Sequence, residues 1–117
     1  MLFRSTQLGL AADRRGDVEA SVGHYRRSLS LDPESASNWF NLGVLLNRKG
    51  DLDGALEAYA EATQRRSSMP WLHFNIGIVH TRREDLRAAV ASYEREIEVH
   101  PRHVEAHLNL EIGRAHV

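Results

Sequence analysis

The chain has 117 residues, is 42% hydrophobic and 26% charged, and carries a formal net charge of −1. That is enough for one domain with a modest core, and the charge balance speaks against nucleic acid, whose binders usually show a strong basic excess. Cysteine is absent, which excludes disulfides and thiol catalysis.

No apolar run approaches the ~18–20 residues that span a bilayer. The opening Met-Leu-Phe-Arg has no secretory character; no membrane partner is expected, and a cytoplasmic location is expected for this segment, with that of a longer parent left open.

A step of 34 residues organises everything that follows. It links Gly9, Gly43 and Gly77, and likewise Tyr25, Tyr59 and Tyr93. It also links Leu8, Leu42, Ile76 and Leu110. A fixed period of this size signals a repeat architecture in which each unit buries its apolar face on its neighbours. Residues 2–35, 36–69 and 70–103 form three units, and 104–117 begins a fourth. Each full unit reads as two helices, predicted in chain order near 3–15, 18–30, 37–49, 52–65, 71–83, 86–99 and 104–114.

The first unit is punctuated by Gly16-Asp17 and closes on Pro33, which cannot continue the preceding helix. In the second, Trp39, Leu42, Leu45 and Leu46 make an amphipathic stripe. Gly50 stops that helix by accepting the left-handed conformation, and Asp51 is placed to cap the next. Leu52, Ala55, Leu56 and Tyr59 form the second apolar face. The third unit opens with Pro70 in the first turn of its helix and ends at Pro101. It has Glu84-Asp85 where the first two have glycine and aspartate, and a left-handed glutamate would cost roughly 1 kcal/mol or more.

These residues resemble the tetratricopeptide repeats, whose 34-residue helix–turn–helix carries Trp-x2-Leu-Gly-x2-Tyr, then small residues, an aromatic and a final proline. The second unit keeps Trp39, Leu42, Gly43, Ala55, Tyr59 and Ala62. The third keeps Ile76, Gly77, Ala89, Tyr93 and Pro101, and the first keeps Leu8, Gly9, Ser21, Tyr25 and Pro33. The resemblance covers residue 2 to about 110 and implies an all-α fold: a right-handed superhelical solenoid of antiparallel helix pairs, three units plus the first helix of a fourth. It places Trp39 in the core. Glu96 departs from it, standing where the family has alanine; it is expected either to pair with His100 at i+4 or to lie at a loosened end of the array.

The fourth unit begins on pattern with His107, Leu108, Asn109 and Leu110, but Glu111 replaces the recurring glycine. The codons GAG ATC GGA AGA GCA CAC GTC would encode Glu111 to Val117, and all but the first base read as a common sequencing adapter. Residues 111–117 are therefore expected to be adapter-derived and the chain to be a fragment of a larger bacterial protein; the alternative is a natural C-terminus.

The family resemblance also implies that first helices line a concave groove. One ladder there is Gln7, Asn41, Asn75 and Asn109. A side-chain amide both donates and accepts, so it can pair with the backbone of an extended peptide. This is similar to the asparagine ladders of the sugar-transferase superhelices, although asparagine is also the family's commonest residue there. Beside it run Phe40 and Phe74, then Val44 and Ile78, with Trp71 near a helix start. Exposed aromatics can anchor a partner, or they can pack as core. A third ladder is Arg14, Arg48 and Arg82. The first helices and their ends carry seven basic groups and one acid, Asp13, which favours an acidic ligand; helix-end cations also complement the macrodipole without any ligand. A chaperone-tail clamp is not expected, because of the matching positions Thr6, Leu10, Asn41, Trp71 and Asn75 only Asn41 agrees.

Seven histidines raise the question of metal, but Pro101 and a helix break separate His100, His103 and His107, while His73, His80 and His107 fall at packing positions. No phosphate loop, serine elbow or nucleophile–base pair stands out. The expectation is therefore no enzyme, no cofactor and no metal, but a module binding an extended peptide or partner segment in its groove. The alternatives are an assembly or accessory arm of a larger enzyme or secretion component, and a helical-repeat RNA binder. Uncapped ends suggest self-association.

Overall fold

The computed structural model describes residues 17–117, all of whose regular structure is helical. Two compact units divide at Ser67–Ser68. The first contains α1 (Val18–Leu31), α2 (Ala36–Lys49) and α3 (Leu52–Arg65). The second contains α4 (Leu72–Arg82), α5 (Leu86–Val99) and α6 (Val104–Ala115). The helix predicted near 3–15 lies outside the described residues. The other six occur where the 34-residue pattern puts them, with ends shifted by no more than one residue.

Local chemistry accounts for these ends. Asp17, Asp51 and Asp85 cap α1, α3 and α5, each carboxylate accepting an orphan amide: Ala20 N–H at 3.0 Å, Gly54 N–H at 2.9 Å and Ala88 N–H at 3.3 Å. Ser35 caps α2 in the same way, its hydroxyl accepting Asn38 N–H at 3.2 Å. Gly50 ends α2 at φ 95°, and Asp51 N–H then reaches Leu46 C=O at 2.9 Å. Glu84 makes the equivalent turn at φ 63°, with Asp85 N–H reaching His80 C=O at 2.9 Å. The glutamate is thus held left-handed, as its place in the repeat requires. Pro70 does not enter the first turn of α4 as expected, because Trp71 is left-handed at φ 71° and the helix starts only at Leu72.

Within the first unit, Gly43 of α2 lies against Tyr59 of α3, which is wholly buried. A β-carbon on Gly43 would sit 2.5 Å from the ring. In the second unit Gly77 of α4 meets Tyr93 of α5 with the same 2.5 Å clearance. Around the first contact, Leu42, Leu45, Leu46, Ala55, Ala58 and Ala62 are buried; around the second, Leu72, Val79, Ala89 and Leu110. Trp39 departs from the expected core position. It is half-buried, its indole N–H donates to Pro33 C=O at 2.7 Å, and the Arg65 guanidinium lies 5.4 Å from its ring centre. His73 is buried and His80 half-buried, whereas His107 is exposed, its Nε2 2.8 Å from Pro101 C=O.

His80 stands in the register of buried Leu46. Desolvation lowers its pKa below 6.5, aided by Arg83 and opposed by Asp85. A histidine whose folded pKa is lowered takes up its proton more readily when unfolded, so stability falls as pH drops below about 6.5. In His80→Leu, urea midpoints should fall less steeply between pH 7 and 5 than in the parent. Glu84→Gly should raise stability by about 1 kcal/mol in the same measurement, by removing left-handed strain. Gly43→Ala should lower it by about 1–3 kcal/mol, although alanine is the better helix former, because the added methyl group meets a buried ring.

Candidate peptide-binding surface

Helix periodicity sets which side chains can face a ligand. On α2, Phe40, Asn41, Val44 and Arg48 follow i, i+1, i+4, i+8 and share one face. Leu42, Gly43, Leu45 and Leu46 are buried, while Phe40, Asn41 and Val44 are half-exposed and Arg48 is exposed. On α4 the same spacing groups Phe74, Asn75 and Ile78, all half-exposed, with exposed Arg82. Gln7 and Arg14 lie outside the described residues.

The paired positions are not chemically identical. Phe40 rests on Tyr59 with ring centres 5.8 Å apart, and Phe74 on Tyr93 at 5.7 Å. Both phenylalanines are half-exposed and lean on the core, and Phe74 is flanked besides by His103, ring centres 4.9 Å apart. The Asn41 amide finds no hydrogen-bond partner among the described residues, whereas Asn75 Nδ2 donates to Trp71 C=O at 2.8 Å. Asn109 and Ile78 line one hollow of about 350 Å3 in the second unit, together with Thr81, Leu86 and Tyr93. In the first unit Lys49, next to Arg48 in sequence, pairs with Glu19 at 2.6 Å. Pairs as exposed as this contribute ~0–1 kcal/mol.

Trp71 is 43% exposed, and its ring meets Phe74 edge-on at 5.2 Å and His103 at 4.1 Å. It lines a cleft of about 570 Å3 with Pro70, Val99, Pro101, Arg102 and Val104. Beneath it is an arrangement the sequence reading missed. Glu96 is wholly buried, and its carboxylate accepts Trp71 N–H at 3.1 Å and Phe74 N–H at 3.2 Å. His103 Nδ1, 2.9 Å from Glu96 Oε2, is the third contact; facing a carboxylate, it acts as the donor. The i+4 partner suggested by spacing, His100, instead places Nε2 2.8 Å from Ser68 C=O. The signal was a charged residue in the column of buried Ser28 and Ala62. Its partners could not be read from that helix because they lie across the turns on either side of it.

Among the described residues, no group of three histidine or acidic side chains is placed to hold a metal ion, and no helix is long and apolar enough to cross a membrane.

Paired helices recurring at 34 residues, with a glycine–tyrosine contact inside each pair, define a helical-repeat protein. The tetratricopeptide repeat family model matches residues 6–70 and 74–110, and the chain belongs to that family. Among curated proteins none matches it in sequence. Solved structures share the fold at low identity. The first tetratricopeptide domain of Spaghetti, bound to an HSP90 peptide, is 18% identical, with TM-score 0.90 over 97% of this chain and 93% of that one. The Yersinia enterocolitica type III secretion chaperone SycD, in complex with a peptide of the translocator YopD, is 16% identical, with TM-score 0.92 over 97% and 92%. A Thermobaculum terrenum O-GlcNAc transferase is 23% identical, with TM-score 0.84 over 96% of this chain but 22% of that one.

Proposed function

We propose that the protein is a non-catalytic interaction module that binds an extended segment of a partner protein along its first helices. The observation that carries this is the half-exposed face of α2, where the Asn41 amide, without a hydrogen-bond partner among the described residues, lies beside Phe40 and Val44. An amide can satisfy both the N–H and the C=O of a peptide in any sequence, and the apolar neighbours supply contact area. Asn75, Phe74 and Ile78 provide the corresponding set on α4, with Asn109 on α6. Two of the similar structures, those of Spaghetti and SycD, hold peptides. Exposed Arg48 and Arg82 favour a segment with acidic residues. A second reading, an accessory arm of a larger protein, draws support from the transferase, in which the matching region is 22% of the chain.

Peptides selected from a phage-displayed dodecamer library provide a concrete probe. Asn41→Ala with Asn75→Ala should weaken them about tenfold or more, at ~0.5–1.5 kcal/mol per hydrogen bond lost. Unchanged affinity by calorimetry, with helicity retained, would remove the ladder from the binding surface.

A further inference from the structure

The repeat register shows what Glu96 replaces. Ser35 caps α2 locally, accepting Asn38 N–H. One period later stands Met69, which is buried and has no side-chain oxygen to offer; only its carbonyl accepts, from Leu72 N–H at 3.3 Å. α4 accordingly starts late, with Trp71 at its N-cap, and the cap bond comes from another helix: the Glu96 carboxylate of α5 accepts Trp71 N–H and Phe74 N–H. A bulky residue at positive φ is an outlier that persists only where its surroundings over-determine it. Here they do, because Glu96 holds the Trp71 amide while His103, itself tied to Glu96, packs 4.1 Å from the indole.

The consequence reaches the proposed ladder. Trp71 C=O accepts both Asn75 N–H at 2.9 Å and Asn75 Nδ2–H at 2.8 Å. A single carboxylate therefore sets the Trp71 backbone, the direction of its exposed indole and the anchorage of the Asn75 amide.

We propose that Glu96 is a positioning residue for partner binding: by capping α4 from α5 in place of Met69, it fixes Trp71 and Asn75 in the orientations a partner segment meets. This rests on the peptide-binding reading above. It goes beyond that reading by making a buried side chain that no peptide touches a determinant of affinity and specificity.

The test separates capping from positioning. Glu96→Ala should abolish the left-handed coupling constant of Trp71 and the ring-current shift from His103 in NMR spectra. It should also weaken the phage-selected dodecamers about as much as Trp71→Ala does. Met69→Ser combined with Glu96→Ala restores the local cap in the register of Ser35. That double variant should recover thermal stability with Trp71 drawn into the helix, and still bind weakly. It also carries the test if Glu96→Ala alone fails to fold. An unchanged Trp71 coupling constant in Glu96→Ala, or affinity that returns along with stability in the double variant, would overturn the proposal. If Trp71→Ala binds the selected peptides as tightly as the parent, positioning has no functional object and the inference fails, while the asparagine ladder stands or falls on its own substitutions.

Discussion

The contact between a helical glycine and a buried tyrosine ring is the constraint on which the rest of each unit depends. With no β-carbon at Gly43 or Gly77, the first helix of a pair comes close enough for the ring of Tyr59 or Tyr93 to occupy that space. This approach determines which face of the first helix is buried. On α2 it buries Leu42, Leu45 and Leu46, and the helical period then leaves Asn41, Val44 and Arg48 towards solvent. Phe40 and Phe74 lean on the same two tyrosines. The apolar column beside the asparagines is thus held by the rings that hold the helices together, so rigidity at the candidate surface follows from packing.

A buried carboxylate is costly unless its lone pairs are used. Glu96 is tolerated because three donors converge on it: the Trp71 and Phe74 amides and the His103 ring. Two of these are orphan amides at a helix start, which need an acceptor in any case. The arrangement therefore removes two problems together, an uncapped α4 and a buried charge. Left-handed strain of ~1–2 kcal/mol at Trp71 is offset by those bonds. In the equivalent place stands Ala62, and there α2 takes its cap bond locally from Ser35.

Most of the fold was legible because it is written in local chemistry repeated at one period. Gly50, Asp17, Asp51 and Asp85 each act on residues within four positions of themselves, so their roles follow from spacing. The left-handed Glu84 was legible by the same route, through its register with Gly50. Glu96 was visible as an anomaly but its partners were not, since they lie 22 to 25 residues upstream and 7 downstream. Trp39 misled for the opposite reason. The family pattern places it in the core, while here Arg65 and the Pro33 carbonyl hold its edge at the surface. The candidate site was legible as a set of faces, because periodicity decides exposure, but not as hydrogen bonds.

Asn41 and Asn75 mark the point at which register and chemistry part. They occupy one column, yet Asn75 is tied to the Trp71 carbonyl while Asn41 has no such bond among the described residues. A tethered amide has lost rotamer freedom before any ligand arrives, so it has less entropy to lose on binding. It also has one fewer N–H to give, so Asn75 presents its oxygen and the second hydrogen of Nδ2. Asn41, with no such tether among the described residues, keeps both N–H groups and its oxygen at a higher ordering cost. A ladder that looks uniform in sequence thus offers a partner two different rungs, and the difference traces to the carboxylate of Glu96, which sets the carbonyl that Asn75 holds.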